Sequence, residues 1–240
     1  MAYIQEILGD ACRRVGGMNE NIFIVIPAYN ESRTIGSLVS SLDEKGFRVV
    51  VVDDASRDNT IIEANKYGAE IIANAKNAGK GRCLRQGLEQ ALQNNCVAVI
   101  TMDGDGQHSL HDIDKFIEEY KKSGADLILG NRLHDTKKMP FIRRCTNVFM
   151  SFIISLIITE KIDDSQCGYR LISRKGIEKM KLNTVKYEIE SEMILEAKRR
   201  DLKISSVNID SIYRGESSRI NPFLDTVRFV KFIINEYTRK

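Results

Sequence analysis

Asp103-Gly104-Asp105 closes an apolar run, Val97–Met102, and two carboxylates so close repel each other unless a cation joins them. Oxygen ligands of this kind suit Mg²⁺ or Mn²⁺, and such an ion bridges a diphosphate and neutralises its charge as it departs. Gln107 can add a neutral oxygen and His108 a nitrogen. The alternative is a solvated acidic turn; the position at the end of a strand favours the metal. An EF-hand competes for the same stretch, D-G-D-G-Q-H-S-L-H-D-I-D. It fails because His108 stands where glycine is needed and Asp114 where a bidentate Glu is needed.

Other residues have the chemistry to meet an anionic, nucleotide-like ligand. Asp53-Asp54 follows Val49–Val52 and is either a helix cap or a pair of acceptors for a nucleobase N–H or a ribose hydroxyl. Asn77-Ala78-Gly79-Lys80-Gly81 is not a Walker loop, since position 74 is Asn and no Ser or Thr follows the lysine. Gly79 and Gly81 still open a helix whose amides, with Lys80, can attract an anion; the plainer reading is a left-handed turn with a solvated lysine. Arg132, behind Gly130-Asn131, presents a fork suited to phosphate oxygens. Arg170 is either a second phosphate ligand or half of a structural ion pair. His111 and His134 carry no marking spacing and are expected at the surface.

Elements that could position these residues alternate through the first 130 positions. Strands are predicted at Ile22–Ile26, Arg48–Val52, Glu70–Ala73, Val97–Met102 and Asp126–Leu129, with helices at about 32–43, 58–67, 79–94 and 110–122. Nearly continuous apolar strands alternating with helices predict an α/β fold: a Rossmann-like, doubly wound, mostly parallel sheet with helices on both faces. Ligands of such sheets sit beyond the carboxyl ends of the strands, where all the polar groups named above gather. Further on, Pro140–Thr159 reads as helix, Gly168–Ser173 as strand, Glu188–Arg200 as helix and Lys203–Asn208 as strand. A last helix starts with Asn221 as N-cap and Pro222 as first residue.

The 240 residues, with 42% hydrophobic and 29% charged, suit one domain with an ordinary core. Within it are expected an N-terminal amphipathic helix at 1–19, a first half at 20–132 that carries the alternating elements and the groups suited to a nucleotide-like ligand, and a less regular second half at 133–240. A net charge of +3 is too small to imply nucleic-acid binding. The five scattered cysteines form no C-x-x-C pair, which speaks against a disulfide framework or a zinc site and for a reducing compartment. No secretory signal is visible, and Val148–Ile158 is about half of the roughly 20 residues that span a bilayer. A cytoplasmic protein is expected, peripheral on the cytoplasmic face of a membrane. Lys137, Lys138, Arg143 and Arg144 beside the apolar Val148–Ile154 stretch would form the interfacial edge, the alternative being an internal helix packed on the sheet.

Several motifs occur in order: Ile26-Pro27-Ala28-Tyr29-Asn30-Glu31, Val52-Asp53-Asp54-Ala55-Ser56, Asn77-x-Gly79-Lys80-Gly81, Asp103 to His108, Gly130-Asn131-Arg132 and Asp164-Ser165-Gln166-Cys167-Gly168-Tyr169-Arg170. Over roughly residues 20 to 220 the chain resembles the inverting family 2 glycosyltransferases of GT-A fold. The nearest branch is that of dolichyl-phosphate mannose and glucose synthases. The resemblance implies that Pro27, Tyr29, Glu31 and Asp54 line the nucleobase and ribose pocket, with Asp53 supporting. Asp103 and Gly104 would meet the donor's ribose or metal, Asp105 and Gln107 would ligate the cation, and Arg132 would sit between the diphosphate and the acceptor phosphate. Arg143 and Arg214 are similar to further phosphate-binding arginines, and Cys167 stands where serine is frequent. The expected partners are a nucleoside-diphosphate sugar (UDP or GDP) and a polyprenyl phosphate at a membrane surface, with a membrane-anchored partner or homo-oligomer left open. A hydroxyl acceptor would instead need a base, for which Asp164 is the candidate. A sugar nucleotidyltransferase and a non-catalytic nucleotide-sugar-binding module are the rival readings.

Overall fold

The computed structural model describes residues 21–136, 139–210, 212 and 222–238; the expected N-terminal helix, Lys137, Lys138, Arg214 and the expected cap Asn221 lie outside them. Among the described residues seven strands form one sheet: β1 (Ile22–Ala28), β2 (Arg48–Asp53), β3 (Glu70–Ala73), β4 (Ala98–Thr101), β5 (Leu127–Asn131), β6 (Arg170–Ser173) and β7 (Ile204–Asn208). Their order is β3-β2-β1-β4-β6-β5-β7. Eight helices accompany them: α1 (Ile35–Glu44), α2 (Thr60–Lys66), α3 (Lys80–Gln93), α4 (Asp112–Ser123), α5 (Phe141–Ile158), α6 (Arg174–Lys179), α7 (Ile189–Arg199) and α8 (Pro222–Thr238).

The central strands are mostly apolar and buried because both faces of the sheet are covered. Side chains alternate along a strand, so Ile22, Ile24 and Ile26 of β1 join one core with Leu38 and Leu42 of α1 and Phe116 of α4. Phe23 and Val25 join the other, with Leu84 and Leu88 of α3, Ile154 of α5 and Met193 of α7. The doubly wound layout expected from the alternation is present.

The register places the ligand edge. Ala28 lies opposite Asp53, and Val25 opposite Thr101, so β1, β2 and β4 deliver their following loops to one rim. One strand departs from the parallel pattern. β6 runs antiparallel between β4 and β5, with Arg170 opposite both Thr101 and Leu129. Its start therefore lies at the carboxyl edge, and the preceding loop carrying Asp164–Tyr169 is brought to the same rim. The sequence marked a strand here but not its direction. It also did not mark the short α6, whose N-cap Ser173 accepts a hydrogen bond from the Gly176 amide at 2.9 Å.

Helix α5 is largely apolar beyond its first two turns yet buried on one side. Asn147, Met150, Ser151, Ile154 and Ile158 form the inner stripe, at the spacing of one helical face. Phe141, Ile142, Val148, Phe149, Phe152 and Leu156 are exposed, Phe152 by 57% and Leu156 by 59%. Neither alternative expected for this stretch is complete: the helix joins the core beside α7 and α8 and also presents an uncovered apolar face. It is the one described helix long and apolar enough to cross a membrane, with mean hydropathy 1.6. Its inner stripe is held by the core instead.

Helix α3 presses closely on the sheet at Gly87, where a Cβ would lie 2.3 Å from Val25 Cγ1. Gly87→Ala is expected to lower stability by about 1–3 kcal/mol through overpacking. In urea unfolding, Gly87→Ala/Val25→Ala should lose less than the sum of the two single variants, because the shortened residue 25 no longer meets the new methyl.

Candidate active site

The loops after β1 and β2 are joined by hydrogen bonds. The Asp54 amide donates to Ala28 O (2.8 Å), the Asn30 amide to Ser56 Oγ (2.8 Å) and the Glu31 amide to Thr60 Oγ1 (2.8 Å). Asn30 takes φ +56° to make this turn, a conformation asparagine tolerates better than most residues. Pro27, Tyr29 and Glu31 are half-buried along the resulting rim. Asp53 accepts from the Ser56 amide at 2.9 Å through Oδ2, while its buried Oδ1 has no protein hydrogen-bond partner.

Asp54 is committed to the protein. Its carboxylate accepts from the amides of Ala78 (2.7 Å) and Gly79 (2.8 Å) and from Asn74 Nδ2 (3.2 Å). The anion drawn to the amides before α3 is thus a side chain of this chain, which corrects the expectation of an external one. Within α3 the Arg82 amide donates to Gly79 O at 3.0 Å and the Gly81 amide to Val185 O at 2.9 Å. Gly79, at φ +95°, is required there, since a Cβ would come within 2.2 Å of the same carbonyl oxygen.

Lys80 is not solvated. Its Nζ lies 2.6 Å from Asp103 Oδ1 and 2.7 Å from Glu190 Oε1. Burial opposes the lysine's charge, but the two carboxylates overcome this and raise its pKa. Burial likewise opposes ionisation of Asp103, and Lys80 with the His108 ring overcomes it, holding the carboxyl well below the usual range. His108 is buried against Tyr169, with ring centroids 4.7 Å apart, and its Nε2 is 3.5 Å from Asp103 Oδ2, too far for a good hydrogen bond.

Asp105 is treated differently. Its Oδ1 accepts from the Gln107 amide at 2.9 Å, an Asx turn that Gly106 completes at φ +70°. Burial first, then the charge of Asp103, push its pKa up. Lys80, engaged by Asp103 and Glu190, offsets this only in part, so Asp105 keeps an excess of negative potential around it. A divalent cation relieves that condition, and the residues fit one. Asp105 and Gln107 offer hard oxygens, and no group of three or more His, Cys, Asp or Glu side chains able to hold a metal occurs among the described residues. Such a short donor set suits Mg²⁺ or Mn²⁺, which take their remaining ligands from phosphates and water. Gly104 sits behind Asp105, its carbonyl accepting from Thr34 Oγ1 at 2.6 Å.

Arg132 and Asp164 form a buried, two-pronged ion pair, Nε to Oδ2 at 2.8 Å and Nη2 to Oδ1 at 3.1 Å. The amides of Arg132 (3.2 Å) and Gln166 (3.1 Å) add to the same carboxylate. Burial raises the Asp164 pKa, but Arg132 outweighs it and the net shift is downward. A carboxylate so occupied is a weak proton acceptor. Arg170 is fully buried and donates to the carbonyls of Cys167, Ser165 and Glu190. It is neither the phosphate ligand nor the carboxylate partner that its sequence context suggested; it holds the loop before β6. Cys167 packs beneath Gly130, its thiol pushed up to about 11 by burial, and is no nucleophile. His111 and His134 are exposed, as expected. Arg143 is half-buried on the first turn of α5, and Arg214 lies outside the described residues.

Two contributors escaped the sequence reading. Glu190 was one acid in the run Glu188-Ile189-Glu190-Ser191-Glu192, with no local signal to single it out. Gly168 is required by contact: a Cβ there would lie 2.8 Å from Lys80 Nζ and 3.2 Å from both Asp103 oxygens. Only its place in Gln166-Cys167-Gly168-Tyr169 hinted at this.

Comparison with known proteins places the chain in a family and a fold. The family described as Glycosyl transferase family 2 matches residues 23–181. The chain is 31% identical over 215 residues to the UDP-N-acetylglucosamine--dolichyl-phosphate N-acetylglucosaminyltransferase of Methanococcus voltae, covering 80% of this chain and 86% of that one. It is 28% identical to the dolichyl-phosphate beta-glucosyltransferase of Saccharomyces cerevisiae, covering 90% and 74%. Among solved structures, glucosyl-3-phosphoglycerate synthase from Mycobacterium tuberculosis, in complex with Mn²⁺, UDP-glucose and phosphoglyceric acid, superposes with a TM-score of 0.68 at 19% identity. That match covers 90% of this chain and 79% of the other, and establishes a shared fold.

The depressed pKa of Asp164 has a consequence for stability. Where the folded carboxylate binds fewer protons than the unfolded one, stability rises with pH. The contribution is therefore present above about pH 4 and is lost as pH falls through the folded value. Asp164→Asn should flatten the acid limb of the unfolding-midpoint profile. At neutral pH, Asp164→Ala should cost about 3–5 kcal/mol by leaving Arg132 buried without its counter-charge.

Proposed function

The chain belongs to glycosyl transferase family 2, and from that premise we propose that it moves a hexose or N-acetylhexosamine from a UDP- or GDP-sugar to a polyprenyl phosphate. The observation that carries this reading is the uneven compensation at the rim: Asp103 is neutralised by the protein, while Asp105 beside it is not. Asp105 and Gln107 would hold Mg²⁺ or Mn²⁺, which when bound supplies positive charge to the leaving diphosphate. Asp103 and Gly104 would meet the ribose side of the donor. Pro27, Tyr29, Glu31 and Asp53 would line its nucleoside pocket, with Asp54 shaping that pocket through the loop it ties down.

A phosphate monoester is largely dianionic at neutral pH. It can attack the anomeric carbon opposite the departing nucleotide without a base, which gives inversion. Asp164, with both oxygens occupied, suits this better than deprotonation of a hydroxyl acceptor. Arg132, aligned by Asp164, would orient the incoming phosphate, with Arg143 nearer the lipid. The acceptor also explains α5. An uncovered apolar face with Arg143 and Arg144 on its first turn fits a helix lying in a bilayer interface beside anionic headgroups.

Two experiments test this. UDP- and GDP-sugars are screened with polyprenyl phosphate and Mn²⁺; transfer should require the metal, and Asp105→Ala should lower kcat by roughly 100-fold or more. Undiminished turnover in EDTA would contradict the mechanism. In liposome sedimentation, the protein should pellet with anionic vesicles at low salt, and Phe152→Asp/Leu156→Asp or Arg143→Glu/Arg144→Glu should release it. A protein that stays in the supernatant at low salt would count against a lipid acceptor.

A further inference from the structure

Lys80 sits where three segments distant in sequence converge. Asp103 follows β4, Glu190 lies in the first turn of α7, and Lys80 begins α3. The lysine's ammonium touches both carboxylates, at 2.6 and 2.7 Å, and is mostly shielded, its side chain 16% exposed. Three glycines let the segments come this close. Without a side chain, Gly79 and Gly81 admit the carbonyls of Val185 and Thr184, and Gly168 admits Lys80 and Asp103 themselves. The strap between α6 and α7 is fixed from the other side by Glu192, which accepts from the amides of Asn183 (2.8 Å) and Thr184 (3.0 Å). Tyr187 closes the group, with Lys80 Nζ 6.0 Å from its ring centroid.

We propose that Lys80 and Glu190 are positioning residues: Lys80 fixes the rotamer of Asp103 for the donor, and its bond to Glu190 ties the donor-binding half to the acceptor-binding half. The proposal rests on the reading of Asp103 as a donor-contacting residue. One carboxylate would suffice to bury a lysine. The second, from an element of the other half, makes the ion a bridge, and Glu190 is held so strictly that its Oε2 is buried with no hydrogen-bond partner. An orphan acceptor of this kind is costly and persists when its surroundings hold it in place. A purely structural ion pair would not need to include the acid of the Asp-Gly-Asp turn that the proposed function assigns to the ribose side of the donor.

The test combines kinetics with hydrogen exchange on the full chain. Kinetics use UDP-glucose, UDP-N-acetylglucosamine and GDP-mannose, each with dolichyl phosphate and Mn²⁺. Lys80→Met should lower kcat by about 100-fold, the scale of a misplaced reactive group. Lys80→Arg should restore part of the loss, and Lys80→Met/Asp103→Asn should be no worse than Asp103→Asn alone. Glu190→Gln should raise amide exchange at Gly81 and across residues 183–192, while its unfolding midpoint stays close to that of the parent. Exchange needs no substrate, so it judges the bridge even where none of the three donors turns over. Full activity in Asp103→Asn would sink the reading of the donor site and leave the exchange result standing. An unchanged kcat in Lys80→Met, losses that multiply in the double variant, or unchanged exchange in Glu190→Gln would each overturn the positioning role.

Discussion

Negative charge crowded along one edge of the sheet is the constraint that organises this molecule. Parallel strands in register send Asp53, Asp54, Asp103 and Asp105 to the same rim, and β6 brings Asp164 there as well. A half-buried carboxylate stays ionised only with a partner. Each acid is answered by a different device: Asp54 by backbone amides, Asp103 by a lysine, Asp164 by an arginine fork. Asp105 alone of the Asp-Gly-Asp pair is left with a raised pKa. Neutralising its neighbours would leave that one carboxylate as the point for the proposed cation.

The periodic half of the chain was legible because both faces of the sheet demand apolar residues. Glu70–Ala73 falls on the strand predicted there, and α3 spans Lys80–Gln93 within the predicted 79–94. The ligand edge was legible for the same reason, since polar residues directly after such strands have nowhere else to be. The direction of β6 was not. A strand of only four residues, Arg170 to Ser173, reads the same both ways, and only its neighbours Thr101 and Leu129 decide it.

Side-chain roles were less readable than side-chain locations. Asp54, Lys80 and Arg170 all carry charge suited to a nucleotide, and all three are satisfied by the protein instead. Composition cannot distinguish a lysine that meets a phosphate from one that meets a glutamate 110 positions away in the chain, because the difference lies in tertiary approach. Glycines gave the better clue: Gly79, Gly81 and Gly168 mark three places where another segment comes too near for a side chain.

Helix α5 has a geometric consequence for the proposed reaction. Its inner stripe carries Ser151 and Ser155, whose hydroxyls accept from the amides of Ser165 (2.8 Å) and Ile162 (2.9 Å) and so clamp the segment bearing Asp164. Its outer stripe is apolar and uncovered. In the proposed interfacial arrangement a single rod about 10–12 Å across would stand between the bilayer surface and the segment bearing Asp164, and would work as a depth gauge. Under that proposal the distance a lipid-borne phosphate would have to rise is about the thickness of one helix, and the isoprenoid tail would not need to leave the membrane for its head to arrive.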